Sequence, residues 1–205
     1  MSKLAAFIKR AFDILFVLAV SPLLLIVMGL IAIMVRLTSG SPVFFRQERA
    51  GRNMQTFIIY KFRTMRTDAD PFGPSPKTGT DNRMTRIGNW LRKYSLDELP
   101  QFFNVLKGNM SLVGPRPLYM DQARQWNERQ KRRLLVEPGL TGLAQISGRG
   151  NLTIEDKLDL DVRYVDNQSL WQDLRIFIAT FFKVLRPKNI YEKRYSKTEE
   201  TRKLS

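Results

Sequence analysis

Two adjacent carboxylates, Asp97 and Glu98, are the residues of this sequence best suited to do chemistry. The chain has no His and no Cys, which excludes an imidazole base, a thiolate nucleophile and the common zinc ligands. Any reaction must therefore rest on carboxylates, hydroxyls, Lys and Arg. A carboxylate can attack phosphorus or carbon to form a covalent intermediate, and it can hold Mg²⁺ beside phosphate oxygens.

The local sequence leaves two roles open for Asp97. Either Ser95 and Glu98 form a capping box or Asp97 is itself the N-cap, so both carboxylates are predicted at a helix N-terminus. A cap is worth about 1 kcal/mol and is the simpler explanation from these residues alone. A nucleophile must be ionised, and the helix N-terminus with Arg92 and Lys93 is expected to lower the pKa of Asp97.

The balance of charges points to an anionic partner. The 205 residues include 34 Lys and Arg against 19 Asp and Glu, a net charge of +15. Nucleic acid, acidic lipid and a phosphorylated substrate all fit such a charge, and a solvated basic surface is the alternative. The lack of cysteine excludes a disulfide framework and fits a reducing compartment.

An apolar segment at residues 11–35 is long enough to cross a bilayer, for which about 20 residues suffice. Ser21 and Pro22 interrupt it, and the proline removes a backbone hydrogen bond. Cations on both flanks favour placing both ends on the cytoplasmic side, which a re-entrant helix–break–helix satisfies. These residues alone leave a kinked spanning helix equally open. Asp13 is expected to pair with the cations one turn before it.

The chain is predicted to divide into a membrane helix, a mostly helical α+β domain and a charged tail, at residues 1–36, 37–186 and 187–205. Strands at 42–46 and 55–60 are predicted to form a small β-hairpin. The other expected elements are helices at 85–94, 119–136 and 154–167, an extended piece at 141–149 and a loop at 68–82.

Residues 169–185 are predicted to form an amphipathic helix with a wide, aromatic-rich apolar face. The polar residues fall on the opposite arc: Gln172, Asp173, Arg175, Thr180 and Lys183. The apolar face belongs either in the core or in the headgroup layer of a membrane. Since an apolar anchor is already predicted, the interfacial position is favoured.

Several cations are candidates for phosphate contacts. Lys61 and Arg63 alternate with apolar residues at the end of the second strand, although a solvated strand face explains them as well. Two prolines stiffen the backbone around Arg116, and glycines beside Arg149 permit close approach to an anion. Each signal is weak alone, because exposed arginines are common in turns.

Taken together and in order, the motifs of the chain resemble those of bacterial sugar transferases of the monotopic phosphoglycosyl transferase type. The matching strings are KRAFD at 9–13, SP at 21–22, YKFRTM at 60–65, SLDELPQ at 95–101, NVLKG at 104–108, GPRP at 114–117, PGLTGLAQ at 138–145 and GR at 148–149. No single string is decisive, but their common order over most of the chain is highly specific.

The resemblance implies transfer of a phosphosugar from a nucleotide diphosphate sugar, usually a UDP-sugar, to undecaprenyl phosphate with release of UMP. It implies a covalent phosphosugar on Asp97, with Glu98 assisting orientation or proton handling. It also implies Mg²⁺ nearby, for which Asp97 is the candidate ligand. The implied contacts to phosphate or nucleotide are Lys61, Arg63, Arg92, Arg116 and Arg149, with Asp161 as a further candidate.

The resemblance further implies a re-entrant anchor that turns at Ser21 and Pro22, on the cytoplasmic face of a bacterial inner membrane. The reaction would be the first membrane step of glycoconjugate synthesis, such as exopolysaccharide, lipopolysaccharide O-antigen or capsule. Membrane lipid is the expected surrounding, nucleic acid is not an expected partner, and a homodimer is allowed. A nucleic-acid-binding protein and a non-catalytic membrane scaffold are the alternative functions.

Overall fold

The computed structural model describes residues 1–70, 76, 78 and 81–185. The described part is α+β and mostly helical with one small hairpin, as predicted. Its helices are α1 (Lys3–Ser39), α2 (Arg86–Lys93), α3 (Phe102–Lys107), α4 (Met120–Arg124), α5 (Glu128–Lys131), α6 (Leu143–Ser147), α7 (Ile154–Asp166) and α8 (Leu170–Leu185). Its strands are β1 (Phe44–Ala50), β2 (Thr56–Phe62), β3 (Ser111–Val113) and β4 (Gly139–Thr141). The predicted tail at 187–205 and part of the predicted loop at 68–82 lie outside the described residues.

The hairpin of β1 and β2 carries Lys61 toward the carboxylate pair. The strands are antiparallel, and Arg46 lies opposite Tyr60. Asn104 of α3 binds the backbone of β2 from the side: its Nδ2 donates to Ile58 O at 2.7 Å and its Oδ1 accepts from Tyr60 N–H at 3.3 Å. Because Asn104 is fully buried, this pair of bonds fixes the position of β2 beside α3.

Helix α1 is 37 residues long, or about 55 Å at 1.5 Å per residue. Its most apolar window has a mean hydropathy of 2.9 and only 17% of that window is buried, so α1 could cross a membrane by length and composition. The helix continues through Pro22, and Ser21 Oγ donates to Leu18 O at 2.8 Å. The break predicted at Ser21 and Pro22 stays a prediction.

Helix α1 packs on the rest of the chain near both of its ends. Its buried residues form two groups, Lys9, Asp13 and Val17, and then Met28, Ile31 and Val35. The first group lies beside β3 and α8, and the second packs on Phe62 and Leu91 of β2 and α2. No residue of α1 between the two groups is buried.

The expected pairing of Asp13 with Lys9 or Arg10 is wrong. Asp13 instead accepts the Leu112 N–H of β3 at 3.2 Å. Lys9 Nζ lies 2.7 Å from Asp173 Oδ2 of α8, and Arg10 donates to two carbonyls at the C-terminal end of α3 at 2.7 and 3.0 Å. Partners from other elements of the fold therefore satisfy these polar groups in place of a neighbour on the same helix.

The helix predicted at 119–136 is wrong as a single element. The chain forms α4, α5 and then a 3₁₀ turn at Arg132–Leu135. Asn127 starts α5 by accepting the Gln130 N–H at 2.9 Å. Asn127 is a favourable N-cap residue, so a new helix begins there and the predicted helix at 119–136 is divided.

The extended piece predicted at 141–149 is also wrong, because β4 ends at Thr141 and α6 follows. Strand β4 pairs in parallel with β3, with Ser111 opposite Gly139. The backbones come so close that a Cβ on Gly139 would lie 2.0 Å from Gly114 N. Because residue 139 is a glycine, the loop that carries Arg116 can pack directly against β4.

Helix α8 presents most of its apolar face outward and buries only Ile176, with Phe177 beside it, so the alternative of a buried core helix is wrong. The exposed residues are Trp171, Leu174, Ile178, Phe181, Phe182 and Leu185. Part of the polar arc faces the protein instead: Asp173 binds Lys9, and Thr180 and Thr141 hydroxyls lie 2.7 Å apart. The helix is thus attached through these polar contacts and through Ile176 and Phe177, which pack in the core, and it leaves its other aromatic residues exposed.

Candidate active site

The carboxylate pair lies in a 3₁₀ helix, Leu96–Gln101, that leads directly into α3. Ser95 adopts a left-handed conformation, with φ of 58°, and makes no side-chain cap. The predicted capping box and the predicted N-cap role of Asp97 are therefore wrong. Both carboxylates do lie in the first turn of this 3₁₀ helix. Because Glu98 does not cap the helix, its side chain is available to the surrounding cations.

Glu98 is the centre of an ion-pair network. Its Oε1 lies 2.8 Å from Lys61 Nζ and 2.5 Å from Arg116 Nη2, and its Oε2 accepts from Arg116 Nη1 at 3.3 Å. Burial would raise the pKa of Glu98, but the charges of Arg116 and Lys61 and their hydrogen bonds outweigh it and hold that pKa far below its usual range. Glu98 is therefore a permanent anion that fixes two cations.

Asp97 is buried, with 5% of its surface exposed. Burial and the neighbouring charge of Glu98 raise its pKa, while Lys61, Arg92 and Arg116 oppose the rise. The expectation that the cations keep this pKa low is therefore wrong, since desolvation outweighs them. Among the described residues the ion pairs go to Glu98 and not to Asp97.

Lys61, Arg92, Arg116 and Arg149 lie around the two carboxylates, and the phosphate contacts that the resemblance implies for them stay a prediction. Burial lowers the pKa of Lys61, and the charge of Glu98 opposes this. Arg92, from α2, acts on the Asp97 charge and also donates to Met84 Sδ at 3.7 Å. Arg149 has a φ of 50°, and burial followed by the Arg116 charge lowers its pKa.

The structure does not bring Arg63 and Asp161 into this cluster. Arg63 is buried and donates to the carbonyls of Ser39 and Gly40 at the C-terminal end of α1. Such a cation at a helix C-terminus satisfies free carbonyls and the helix dipole. These contacts give Arg63 a structural role at the end of α1, away from the carboxylate pair.

Asp161 is connected to the site indirectly, through Arg133. Its Oδ2 is 2.6 Å from Arg133 Nη2, and that nitrogen also donates to the backbone O of Arg116 at 2.5 Å. The Arg133 guanidinium lies 4.7 Å from the Trp126 ring centroid. Asp161 therefore orients Arg133, which in turn holds the backbone of Arg116.

Sequence reasoning missed three residues that shape the site: Asn104, Arg133 and Arg49. Asn104 stands inside the NVLKG string, which could have marked it. Arg49 stacks on Tyr119, and its charge interacts with Arg116 and Glu98. Nothing in the local sequence distinguishes Arg49 or Arg133 from other arginines, because Tyr119 and Asp161, which they contact, are distant along the chain.

No group of three or more acidic, His or Cys side chains converges to hold a metal in the part of the chain that the structure describes. Glu98 is occupied by two cations, which leaves Asp97 as the carboxylate that fits Mg²⁺. Mg²⁺ is commonly bound by one or two carboxylates together with substrate phosphates, so this donor set is compatible with it.

A carboxylate pair, with Asp97 buried and Glu98 partly buried, set among cations is typical of an enzyme active site. The sequence matches the bacterial sugar transferase family over residues 4–187. The chain therefore belongs to the bacterial sugar transferase family. This membership does not favour the alternatives of a nucleic-acid-binding protein or a non-catalytic scaffold.

The chain is similar to relatives of about its own length and to longer relatives. The protein named "Uncharacterized sugar transferase EpsL" of Bacillus subtilis (strain 168) is 48% identical over 181 residues, 87% of each chain. Exopolysaccharide production protein ExoY of Sinorhizobium fredii is 41% identical over 191 residues, 84% of this chain and 83% of that one. The UDP-glucose:undecaprenyl-phosphate glucose-1-phosphate transferase of Escherichia coli (strain K12) is 44% identical over 186 residues, 86% of this chain but 40% of that enzyme.

Proposed function

We propose that this enzyme transfers a phosphosugar from a UDP-sugar to undecaprenyl phosphate and releases UMP. Relatives named undecaprenyl-phosphate glucose phosphotransferase and undecaprenyl-phosphate galactose phosphotransferase support the acceptor and the reaction type. The chain spans about two fifths of the length of these longer relatives, 37% and 42%, so their whole activity is carried over only as a proposal. The observation that carries the proposal is Asp97, buried beside Glu98 amid cations.

In the first half-reaction, an ionised Asp97 oxygen forms a bond to the sugar-bearing phosphorus of the donor. The bridging P–O bond breaks, and UMP leaves with the electron pair. In the second half-reaction, an oxygen of undecaprenyl phosphate attacks the same phosphorus and frees the Asp97 carboxylate. Cations such as Lys61 and Arg116 offset the negative charge that builds up on the phosphoryl oxygens.

The raised pKa of Asp97 and the lowered pKa of Glu98 suggest different duties for the two carboxylates. Glu98 is a weak base, so holding Lys61 and Arg116 in place suits it better than proton handling. Asp97 must lose its proton before it attacks. Bound Mg²⁺, with Asp97 as its ligand from the protein, would neutralise charge on the diphosphate and favour the ionised carboxyl.

We also propose that α1 is re-entrant and that the site faces the cytoplasm. Both end regions of α1 pack on the same domain, with no buried residue between Val17 and Met28. A straight span would carry one of these regions to the far side of the bilayer, about 30 Å away. The exposed apolar face of α8 would then lie in the headgroup layer, at the level of a lipid phosphate.

The topology can be tested because the chain has no native Cys. Single cysteines at Ser2 and at Thr38 should both resist a membrane-impermeant thiol reagent in intact cells and react after lysis. Labelling of either position in intact cells would contradict the re-entrant topology. It would have no bearing on the proposed reaction.

The reaction is tested by measuring UMP release over a panel of UDP-sugars with undecaprenyl phosphate and Mg²⁺. With the active donor alone, intact-protein mass spectrometry should show one added phosphosugar, which peptide mapping assigns to Asp97. Asp97→Asn should lose the adduct and turnover while keeping its membrane association, and Asp159→Asn on an exposed helix face serves as the control. Normal turnover in Asp97→Asn would refute the mechanism.

A further inference from the structure

A chain of buried polar side chains that the proposed reaction does not use joins three helices to one backbone carbonyl. Tyr164 of α7 donates its hydroxyl to Asp173 Oδ1 of α8 at 2.6 Å, and Asp173 Oδ2 lies 2.7 Å from Lys9 Nζ of α1. Lys9 Nζ in turn donates to Val113 O of β3 at 2.9 Å. All three side chains are buried, so little water competes for these bonds.

Tyr164 is a fixed donor in this chain. Burial, followed by the charge of Asp173, raises the pKa of Tyr164 well above its usual value, so the phenol keeps its proton. The hydroxyl also lies 3.2 Å from Val113 O, but it has a single proton, and the shorter distance assigns that proton to Asp173. Gln168 Nε2 donates to the same hydroxyl at 3.3 Å. Tyr164 therefore orients Asp173, which orients Lys9.

Val113 begins a segment that is held at successive residues up to Arg116. Gly114 donates its N–H to a carbonyl of β4 at 2.8 Å, and Pro115 O accepts an N–H of β4 at 2.8 Å. The side chain of Arg116 then binds Glu98 Oε1 at 2.5 Å. Because β4 and the proline leave few free torsions in this segment, a displacement of Val113 is passed on to Arg116.

Stabilisation of the fold is the simpler explanation for such a chain, but the energetics do not favour it. A buried ion pair adds little net stability, because the cost of desolvating both charges offsets their attraction. Charge-assisted hydrogen bonds are, however, short and directional, so they fix the relative positions of the elements that carry them. Here those elements are α1, α7, α8 and the strand that precedes Arg116.

We propose that Tyr164 and Asp173 are positioning residues for the reaction, because they act through Lys9 and Val113 O to set the position of the Arg116 guanidinium. The inference rests on the proposed function, in which Arg116 offsets negative charge on the phosphoryl oxygens. An interaction that strengthens in the transition state acts on kcat more than on KM. A displaced Arg116 should therefore slow the first half-reaction and leave donor binding nearly unchanged.

The test compares Tyr164→Phe with Thr153→Ala. The first variant removes the hydroxyl and keeps the buried ring. The second removes the N-cap at the other end of α7, where Thr153 Oγ1 accepts the Asp156 N–H at 3.2 Å. Both variants lose hydrogen bonds and should unfold at a lower temperature than the wild type. Exchange of labelled UMP into the UDP-sugar without acceptor gives kcat and KM for the first half-reaction alone.

In Tyr164→Phe the kcat of UMP exchange should fall about tenfold, while the KM for the UDP-sugar changes by less than about twofold. Asp173→Asn should lose at least as much kcat, because Lys9 then lacks its carboxylate. Thr153→Ala should keep the wild-type kcat despite its lower unfolding temperature. Adding Tyr164→Phe to Arg116→Gln should cause no further loss, since the residue through which Tyr164 acts is already changed.

A second measurement does not depend on the reaction. Amide hydrogen exchange over residues 111–117 should be faster in Tyr164→Phe than in the wild type, because the segment is less firmly held. Thr153→Ala should leave the exchange over residues 111–117 unchanged. If Tyr164→Phe fails to fold, Gln168→Leu replaces it, since Gln168 binds the same hydroxyl and is only half-buried. A smaller loss of kcat, about threefold, is then expected.

Three results would overturn the inference: a wild-type kcat in the folded Tyr164→Phe or Gln168→Leu enzyme, an equal loss in Thr153→Ala, or a full tenfold loss on top of Arg116→Gln. A wild-type enzyme that exchanges no UMP with any UDP-sugar would instead refute the proposed function. In that case faster amide exchange over residues 111–117 would still support the positioning of Arg116, and unchanged amide exchange would overturn it.

Discussion

The buried ion pair between Arg133 and Asp161 offers a way to separate stability from catalysis. Arg133 Nη2 lies 2.6 Å from Asp161 Oδ2, and the two side chains are 1% and 3% exposed. The same nitrogen donates to the backbone O of Arg116 at 2.5 Å. The pair therefore contributes to the fold and also holds the loop that presents Arg116 to Glu98.

Removing one partner of a buried pair costs about 3–5 kcal/mol, and in a domain of this size each kcal/mol lowers the unfolding temperature by about 2–4 °C. Asp161→Leu is thus expected to lower that temperature by roughly 6–20 °C. Arg133→Met should cost less, because a buried carboxyl can take up a proton whereas a guanidinium stays charged. The double variant should return close to wild-type stability, since an apolar replacement of a whole buried pair is often neutral.

Turnover should not return with stability in the double variant, because the backbone O of Arg116 still lacks its donor. UMP release and the unfolding temperature are measured in the same detergent. The exposed pair Arg129 and Asp159 is the control, since it joins α5 to α7 at 2.7 Å with side chains 60% and 50% exposed. Its double variant should change the unfolding free energy by no more than about 1 kcal/mol.

Two results would refute this reasoning. If the double variant is as unstable as Asp161→Leu, the cost does not arise from an uncompensated buried charge. If the double variant regains full turnover, Arg133 does not position Arg116 for the reaction.

Three further predictions concern the acid limb of the reaction, a packed glycine and the metal. Because burial and Glu98 raise the pKa of Asp97, turnover should fall on acidification above the ordinary Asp range; Glu98→Gln should shift this limb of the pH–rate profile to lower pH, and no shift would contradict it. Gly88→Ala should lower the unfolding temperature, because its Cβ would lie 2.0 Å from Thr64 O, whereas Gly29→Ala, with no atom within 4 Å, should not. EDTA should stop UMP release without lowering the unfolding temperature, and added Mg²⁺ should restore it.

The sequence could mark candidate residues for the site because the motifs that contain them are short and local. SLDELPQ and GPRP each place a charged group within a few residues of the turn that orients it. The hairpin that carries Lys61 follows from turn residues between two apolar strands. The motifs marked Lys61, Glu98 and Arg116 separately, whereas the ion pairs that join them at 2.8 and 2.5 Å span 37 and 18 residues and were not predicted.

What the sequence could not predict depends on distant partners and on burial. Arg63 has the same strand-end setting as Lys61, yet it binds the end of α1, 23 residues earlier at Gly40. Asp161 pairs with Arg133, 28 residues away, and does not join the cluster around the two carboxylates. The pKa of Asp97 rises because desolvation outweighs three cations, and the extent of desolvation cannot be read from charges along a sequence.

The attachment of α1 has a direct consequence for the site. Lys9 donates to Val113 O at 2.9 Å and Asp13 accepts from Leu112 N–H at 3.2 Å, so the N-terminal part of α1 holds β3 by its backbone. Arg116 follows β3 after two residues, one of which is a rigid proline. A shift of α1 must therefore move the loop of Arg116. If α1 lies in the membrane as proposed, the bilayer fixes the depth of Arg116 relative to the membrane surface. A phosphate that Arg116 contacts must then lie at the same depth.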